Sequence, residues 1–278
     1  MLELTSPVWS ELDGPYGSAE NVPQLIEQLQ MEYVEDVKDE LYYEQLFHQN
    51  TIYSCTLAAV PYLAEIARQS QSLEIKLDIY VTCGLFEFYR SESEGTSNEL
   101  PTELQPFIDG IGLGVCTDIY KSYLSAIADL AEYSSDMIRY AAEVGKDNSE
   151  KRYIIAAEVA YRGWKGAAGV LTTFNGGDEY VASCLSCGED IYIWPTAEDD
   201  NLLVYRNDPV FYPEQESISI IPAEDITNNE LAVLEQLSIS IDESRLMRHI
   251  PYLAGHTSCP SCHASCHIWT SLTNMYKS

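Results

Sequence analysis

Basic residues are what this sequence has least of. Fifteen lysines and arginines face forty-four aspartates and glutamates in 278 residues, a formal net charge of −29. Nucleic acid and anionic membrane both need a basic footprint, so neither is expected as a partner. Long apolar runs are also missing. The densest, Ile79–Tyr89, is interrupted by Thr82, Gly84 and Glu87 and is too short to span a bilayer. The first residues, MLELTSPVWSEL, show neither a basic stretch nor a following apolar run, so no signal peptide is expected and the chain reads as cytoplasmic. The catalytic strings His-Glu-x-x-His, Gly-x-Ser-x-Gly and Gly-x-x-x-x-Gly-Lys-Ser/Thr do not occur. GIGLG at 110–114 has no preceding strand and misplaces its third glycine, so it reads as an inter-helix connection, not a dinucleotide fingerprint.

Hydrophobic residues make up 46% of the chain, enough for a core, so the acidity does not mark a disordered tail. The acids are unevenly placed. Residues 1–60 hold eleven acids and one base, whereas 121–180 hold nine acids and seven bases. A field concentrated in one region suits an interface with a basic protein partner, which it would steer into contact. The expected partner surface is Glu32, Glu35, Asp36, Asp39, Glu40 and Glu44, the outer side of a helix predicted over about Val34–Phe47 with Val34, Val37 and Leu41 inward.

Eight cysteines are present, and four of them form a pattern. The stretch from Cys184 to Trp194, CLSCGEDIYIW, aligns with CPSCHASCHIW from Cys259 to Trp269. Five of eleven positions are identical: both cysteines, the serine between them, and the closing Ile-Trp. Two cysteines three apart bend the chain so that both thiolates face one ion, and the Ile-Trp that follows can begin a returning strand. Four thiolates from two such turns make a tetrahedral site closed to water, which is the structural kind of zinc centre. One Zn²⁺ on Cys184, Cys187, Cys259 and Cys262 is the expectation. A redox Cys-x-x-Cys would want a thioredoxin-like βαβ pattern, and disulfides would want export. The 71 residues between Cys187 and Cys259 exceed the 15–20 of a compact zinc ribbon, so the module must carry a long insert. His263, Cys266 and His267 compete as ligands. Cys266 aligns with Ile191, a strand position, and His263 aligns with Gly188, where it would serve better as a donor to sulfur. Cys55, Cys83 and Cys116 lie in apolar helical surroundings and are expected in the core.

Apolar periodicity gives helices over about 22–31, 34–47, 52–68 (Pro61 predicts a bend), 73–90, 118–134, 136–145 and 149–163, with a short one ending at Gly176-Gly177. Residues 91–99 read as a mobile loop. IYIWP, LLVYR and SISIIP read as strands, and two helices follow, capped by Asn228 and Asp242. Lys146, Lys151, Arg152, Arg162 and Lys165, with Tyr153, Tyr161 and Trp164 among them, could face RNA, but ion pairs with neighbouring acids fit the overall charge better. His48, His249 and His256 are expected to serve structure.

Helix pairs with short loops suggest a stacked antiparallel array. Trp9, Tyr16-Gly17, Val22-Pro23, His48-Gln49-Asn50-Thr51-Ile52-Tyr53 and Ala58-Ala59-Val60-Pro61-Tyr62-Leu63 resemble bacterial HEAT-like repeat proteins. Tyr161-Arg162-Gly163 and the run from Gly177 through Cys184 to Gly188 resemble the ends of such proteins, where a solenoid passes into a cysteine knuckle. The resemblance covers about half the chain. It implies a right-handed α-superhelix with a scaffold or binding role; taken with the knuckles, the fold expected is mainly α, a HEAT-like α-solenoid over 1–177 capped by a zinc-ribbon-like β module with a helical insert over 178–278. It brings no catalytic residues with it. The function expected is a non-catalytic protein binder, and more sharply an immunity protein masking a basic bacterial toxin domain. A general solenoid scaffold and a zinc-dependent hydrolase are the alternatives.

Overall fold

Residues 1–91 and 100–276 are described by the computed structural model. They are mainly helical with small antiparallel sheets, and the chain divides into two units, Met1–Met137 and Ile138–Ser278. The 177/178 boundary expected between solenoid and knuckle module lies inside the second of these units. From residue 92 on, the loop expected at 91–99 falls outside the described residues.

In the first unit a short ribbon, β1 (Asp13–Gly14) with β2 (Gly17–Ser18), precedes α1 (Val22–Met31). Pro23 starts α1 in its first turn, where a missing N–H costs nothing, and Val22, Ile26 and Leu29 are buried. Asn21 makes no side-chain cap. The long helix expected over 34–47 is broken in kind. A short α2 (Glu35–Asp39) runs into a π-helical turn, Glu40–Leu46, whose wider winding buries Leu41, Tyr42 and Leu46. Val34, expected inward, is exposed at the start of α2. The Tyr33 hydroxyl donates to Asp78 (2.5 Å) and lies 2.8 Å from the Tyr42 hydroxyl.

The segment expected as a plain loop at 48–51 is a hairpin, β3 (Phe47–His48) with β4 (Thr51–Ile52). Gln49 and Asn50 both take positive φ (48° and 61°), as a two-residue turn matched to strand twist requires. His48 packs its ring on Tyr16. The next helix, α3 (Ser54–Gln69), carries Pro61 inside it and is buried on nearly every side, so it forms the centre of this unit. Against it pack α4 (Leu73–Tyr89) and, beyond a short α5 (Ile108–Ile111), α6 (Leu113–Ala131). Gly112, within GIGLG, turns the chain between α5 and α6 at φ +91°. Glu87 is buried on α4 but matched by Arg90 (2.6 Å) and the Tyr123 hydroxyl (2.7 Å). Cys55, Cys83 and Cys116 are buried as expected. Helix α7 (Ser134–Val144) straddles the division between the units.

The second unit begins with α8 (Asn148–Tyr161), closed at its start by a reciprocal Asp147–Glu150 capping box, and α9 (Lys165–Thr173). A four-stranded meander follows: β5 (Tyr180–Ser183), β6 (Asp190–Pro195), β7 (Leu202–Tyr205) and β8 (Ile218–Ser219), antiparallel throughout and in sequence order. Tyr180, Ala182, Ile191, Ile193, Leu202 and Val204 alternate inward on one face. Helices α10 (Asn229–Ser240) and α11 (Ser244–Leu253) make up the helical part of the insert. Asn228 caps α10 as expected, its side chain accepting from the Leu231 N–H (3.1 Å). The cap of α11 is Glu243, not Asp242, because Asp242 is spent on the corner between the helices at φ +55°. A last hairpin, β9 (His256–Ser258) with β10 (Ser265–His267), leads into α12 (Ile268–Thr273), which packs on α9 and β5.

Candidate metal centre

The two cysteine turns are built alike at the level of the backbone. In the first, the Cys184 N–H donates to Glu189 O (2.9 Å) and the Gly188 N–H donates to Cys184 O (2.8 Å). In the second, Cys259 N–H donates to Ala264 O (2.8 Å) and His263 N–H to Cys259 O (3.0 Å). Each turn therefore closes five residues on from its first cysteine. Each also needs a left-handed residue at the fourth, namely Gly188 at φ +77° and His263 at φ +61°. The internal alignment thus reflects a repeated turn, and His263 stands where glycine serves its counterpart. Its side chain is exposed.

The turns bring Cys184, Cys187, Cys259 and Cys262 together, with all four sulfurs within 4.8 Å of one another. Cys184 Sγ lies 3.8 Å from Cys262 Sγ, and Cys187 Sγ lies 3.8 Å from Cys259 Sγ. Metal–sulfur bonds of about 2.3 Å in a tetrahedron place neighbouring sulfurs about 3.8 Å apart, so these two edges already have the length that one ion would set. The set could hold a single metal ion, with each turn contributing one buried and one exposed thiol. A zinc centre here would be closed, since four thiolates fill its coordination. Burial acts to raise the Cys184 thiol, but backbone N–H groups of Ser186 and Cys187 outweigh it and bring its pKa down to about 6. A thiolate is the form that ligates.

Of the competing ligands, His263 and His267 are exposed and lie outside the four-sulfur set, and His267 is paired ring to ring with His256. Cys266 occupies a strand, as the alignment with Ile191 suggested, and is also outside the set. Sequence reasoning missed that it is nonetheless buried with its sulfur 3.8 Å from Cys184 Sγ. A strand follows each knuckle, β6 after the first and β10 after the second, but only the first includes the Ile-Trp pair. Ile193-Trp194 lie within β6, whereas Ile268-Trp269 open α12. Strand β6 has a partner on both sides, while β10 has only β9, so beyond His267 a helix is the way to satisfy the backbone locally.

A second polar constellation lies in this unit and has no sequence motif. Arg152 is fully buried. It donates through Nε to Glu243 (3.2 Å) and through Nη1 to Phe174 O (2.7 Å) and the Tyr180 hydroxyl (3.2 Å). That hydroxyl lies 2.9 Å from His249 Nδ1, and His249 Nε2 lies 3.6 Å from Asp200 Oδ2. Desolvation, reinforced by Arg152, pushes the His249 pKa down to about 4, so the ring is neutral and structural, as expected for this residue. With Arg152 donating to Tyr180 and Tyr180 to Nδ1, the remaining proton sits on Nε2, facing the carboxylate. The basic stripe read from sequence is likewise consumed. Lys151 donates to Asp242 O (2.8 Å), Arg162 pairs with Glu158 (2.6 Å) and Lys146 with Glu150 (2.9 Å).

In the first unit Glu32, Glu35, Asp36, Asp39, Glu40 and Glu44 are all exposed. Lys38 lies 3.4 Å from Asp39, 3.9 Å from Glu35 and 4.0 Å from Asp78. Glu44 accepts from the Tyr16 hydroxyl (3.1 Å) and Glu40 from Gln45 (3.2 Å), both neutral donors. No helix among the described residues is long and apolar enough to cross a membrane. No protein-family model matches the sequence, and neither a curated protein nor a solved structure matches it, so the likeness to HEAT-like repeat proteins stands on its quoted residues alone.

Proposed function

We propose that this chain is a non-catalytic binding protein that presents an acidic surface to a basic protein partner, with one structural zinc on Cys184, Cys187, Cys259 and Cys262. The observation that carries the reading is the segment Glu32–Glu44, where six exposed carboxylates stand with Lys38 as the single base. Such a field raises association rates and selects against acidic partners. Within this class the sharper reading is an immunity protein that covers a basic toxin domain in the bacterial cytoplasm, where masking an active surface needs no chemistry of its own. The zinc would have a folding role. It would tie two turns 71 residues apart and remove the chain entropy of the insert between them.

The test is co-purification of the chain from its native host at low and high salt, followed by binding measurements on the captured partner. Reversing Glu35, Asp36, Asp39 and Glu40 to lysine should weaken binding at least about tenfold and flatten its salt dependence. Unchanged affinity and an unchanged salt slope would remove this surface from the account.

A further inference from the structure

A cavity of about 760 Å³ opens in the second unit, and its walls carry both signs of charge. Its lining includes the guanidiniums of Arg245 and Arg248, from α11, the carboxylates of Asp178, Glu198 and Asp199, and Trp194. Asp200 holds both guanidiniums. It accepts from Arg248 Nη2 (2.7 Å) and Arg245 Nε (3.3 Å), and Arg245 Nη1 donates to Gly176 O (2.9 Å). Behind Asp200 stands the buried chain of His249, Tyr180 and Arg152. That leaves Arg245 Nη2 and Arg248 Nη1 with no acceptor among the described residues. Asp178 and Glu198 are exposed, and no described residue donates to either.

A simple anion would meet the carboxylates of this cavity, and a simple cation would meet its two guanidiniums. Only a ligand carrying both charges gains from both sets of groups. We propose that the cavity binds a small zwitterion of the amino-acid or short-peptide class, its carboxylate on Arg245 and Arg248 and its ammonium on Asp178 and Glu198. Trp194 belongs to the same lining, so its emission reports on occupancy. Bidentate guanidinium–carboxylate geometry supplies the direction in which the ligand lies. This site is independent of the acidic segment of the first unit and of the metal centre, so its test does not bear on either.

The experiment is calorimetric titration of the full chain with glycine, glycylglycine and triglycine, read in parallel by tryptophan emission. N-acetylglycine keeps the carboxylate alone and glycinamide the ammonium alone. At least one of the three zwitterions should bind, and each capped compound should bind at least about tenfold more weakly than it. Arg248→Gln and Glu198→Gln should each weaken binding about tenfold, and Trp194→Phe should abolish the emission change. Glu198 is exposed and has no partner to lose, so its variant decides the matter even if Arg248→Gln disturbs Asp200. Absence of binding by all three zwitterions overturns the proposal. So does equal binding of a capped compound, or full affinity in Glu198→Gln.

Discussion

His249 offers a sharp test of the buried polar network, because its protonation is linked to folding with a known sign. In the unfolded chain a histidine titrates at about 6.5; in the fold, desolvation and the guanidinium of Arg152 hold His249 down to about 4. Between these values the unfolded state binds a proton that the native state refuses. Stability is therefore undiminished above pH 6.5, falls as pH drops toward 4, and changes no further from this group below that. A gap of about 2.5 pKa values corresponds to about 3 kcal/mol, a large share of the stability of an ordinary domain. At pH 5 the loss should be about 2 kcal/mol. The assay is urea unfolding followed by circular dichroism from pH 7.5 to 4.5, for wild type and for His249→Gln. Other titrating groups cancel in the difference, including Asp200, whose pKa is lowered and whose transition lies below this window. His249→Gln should start less stable at pH 7.5, having lost the Tyr180 contact, and should lack the wild type's loss of about 2 kcal/mol between pH 7.5 and 5. Parallel curves would mean that His249 is charged or solvated in the fold, and the network as described would be wrong.

Two glycine-type positions give further tests. Replacing His263 by glycine should leave metal stoichiometry unchanged and raise stability by up to about 1 kcal/mol, since a left-handed turn residue gains from losing its Cβ; metal analysis and thermal melting read both, and loss of metal would make His263 a ligand. Gly177→Ala should be strongly destabilising, by about 2 kcal/mol or more on thermal melting. Gly177 sits at φ +64°, and its added carbon would meet the buried guanidinium of Arg152. A melting point equal to wild type would show that Arg152 has room to move.

What could be read from the chain, and what could not, divides along sequence distance. Helices α1, α3, α4, α7 and α8 and the meander strands after Cys187 follow local periodicity, and their positions are legible within a few residues, whereas α5 is not announced and α6 begins five residues before the expected start. The cysteine set was legible for a different reason: a repeated turn leaves a repeated string, so the chain pairs residues 184 and 259 by likeness although they are far apart. The π-helical turn at Glu40–Leu46 left no such trace, because its one-residue widening answers to packing of Tyr42 and Leu46. The strand-to-helix change at Ile268 depends on β10 lacking a second neighbour, which is a fact of the assembled sheet. Arg152 with Glu243, and Cys266 with Cys184, are joined across 91 and 82 residues with no pattern to announce them. Arg152 reads as one of a stripe of five bases, yet it is the most buried of them.

The central claim is that four sulfurs from two separated turns hold one ion. Chain purified without added chelator should carry one zinc per molecule by elemental mass spectrometry, and X-ray absorption at the zinc edge should fit four sulfurs at about 2.3 Å with no nitrogen or oxygen neighbour. Metal-free protein that is fully folded, or a first shell containing nitrogen or oxygen, would contradict it.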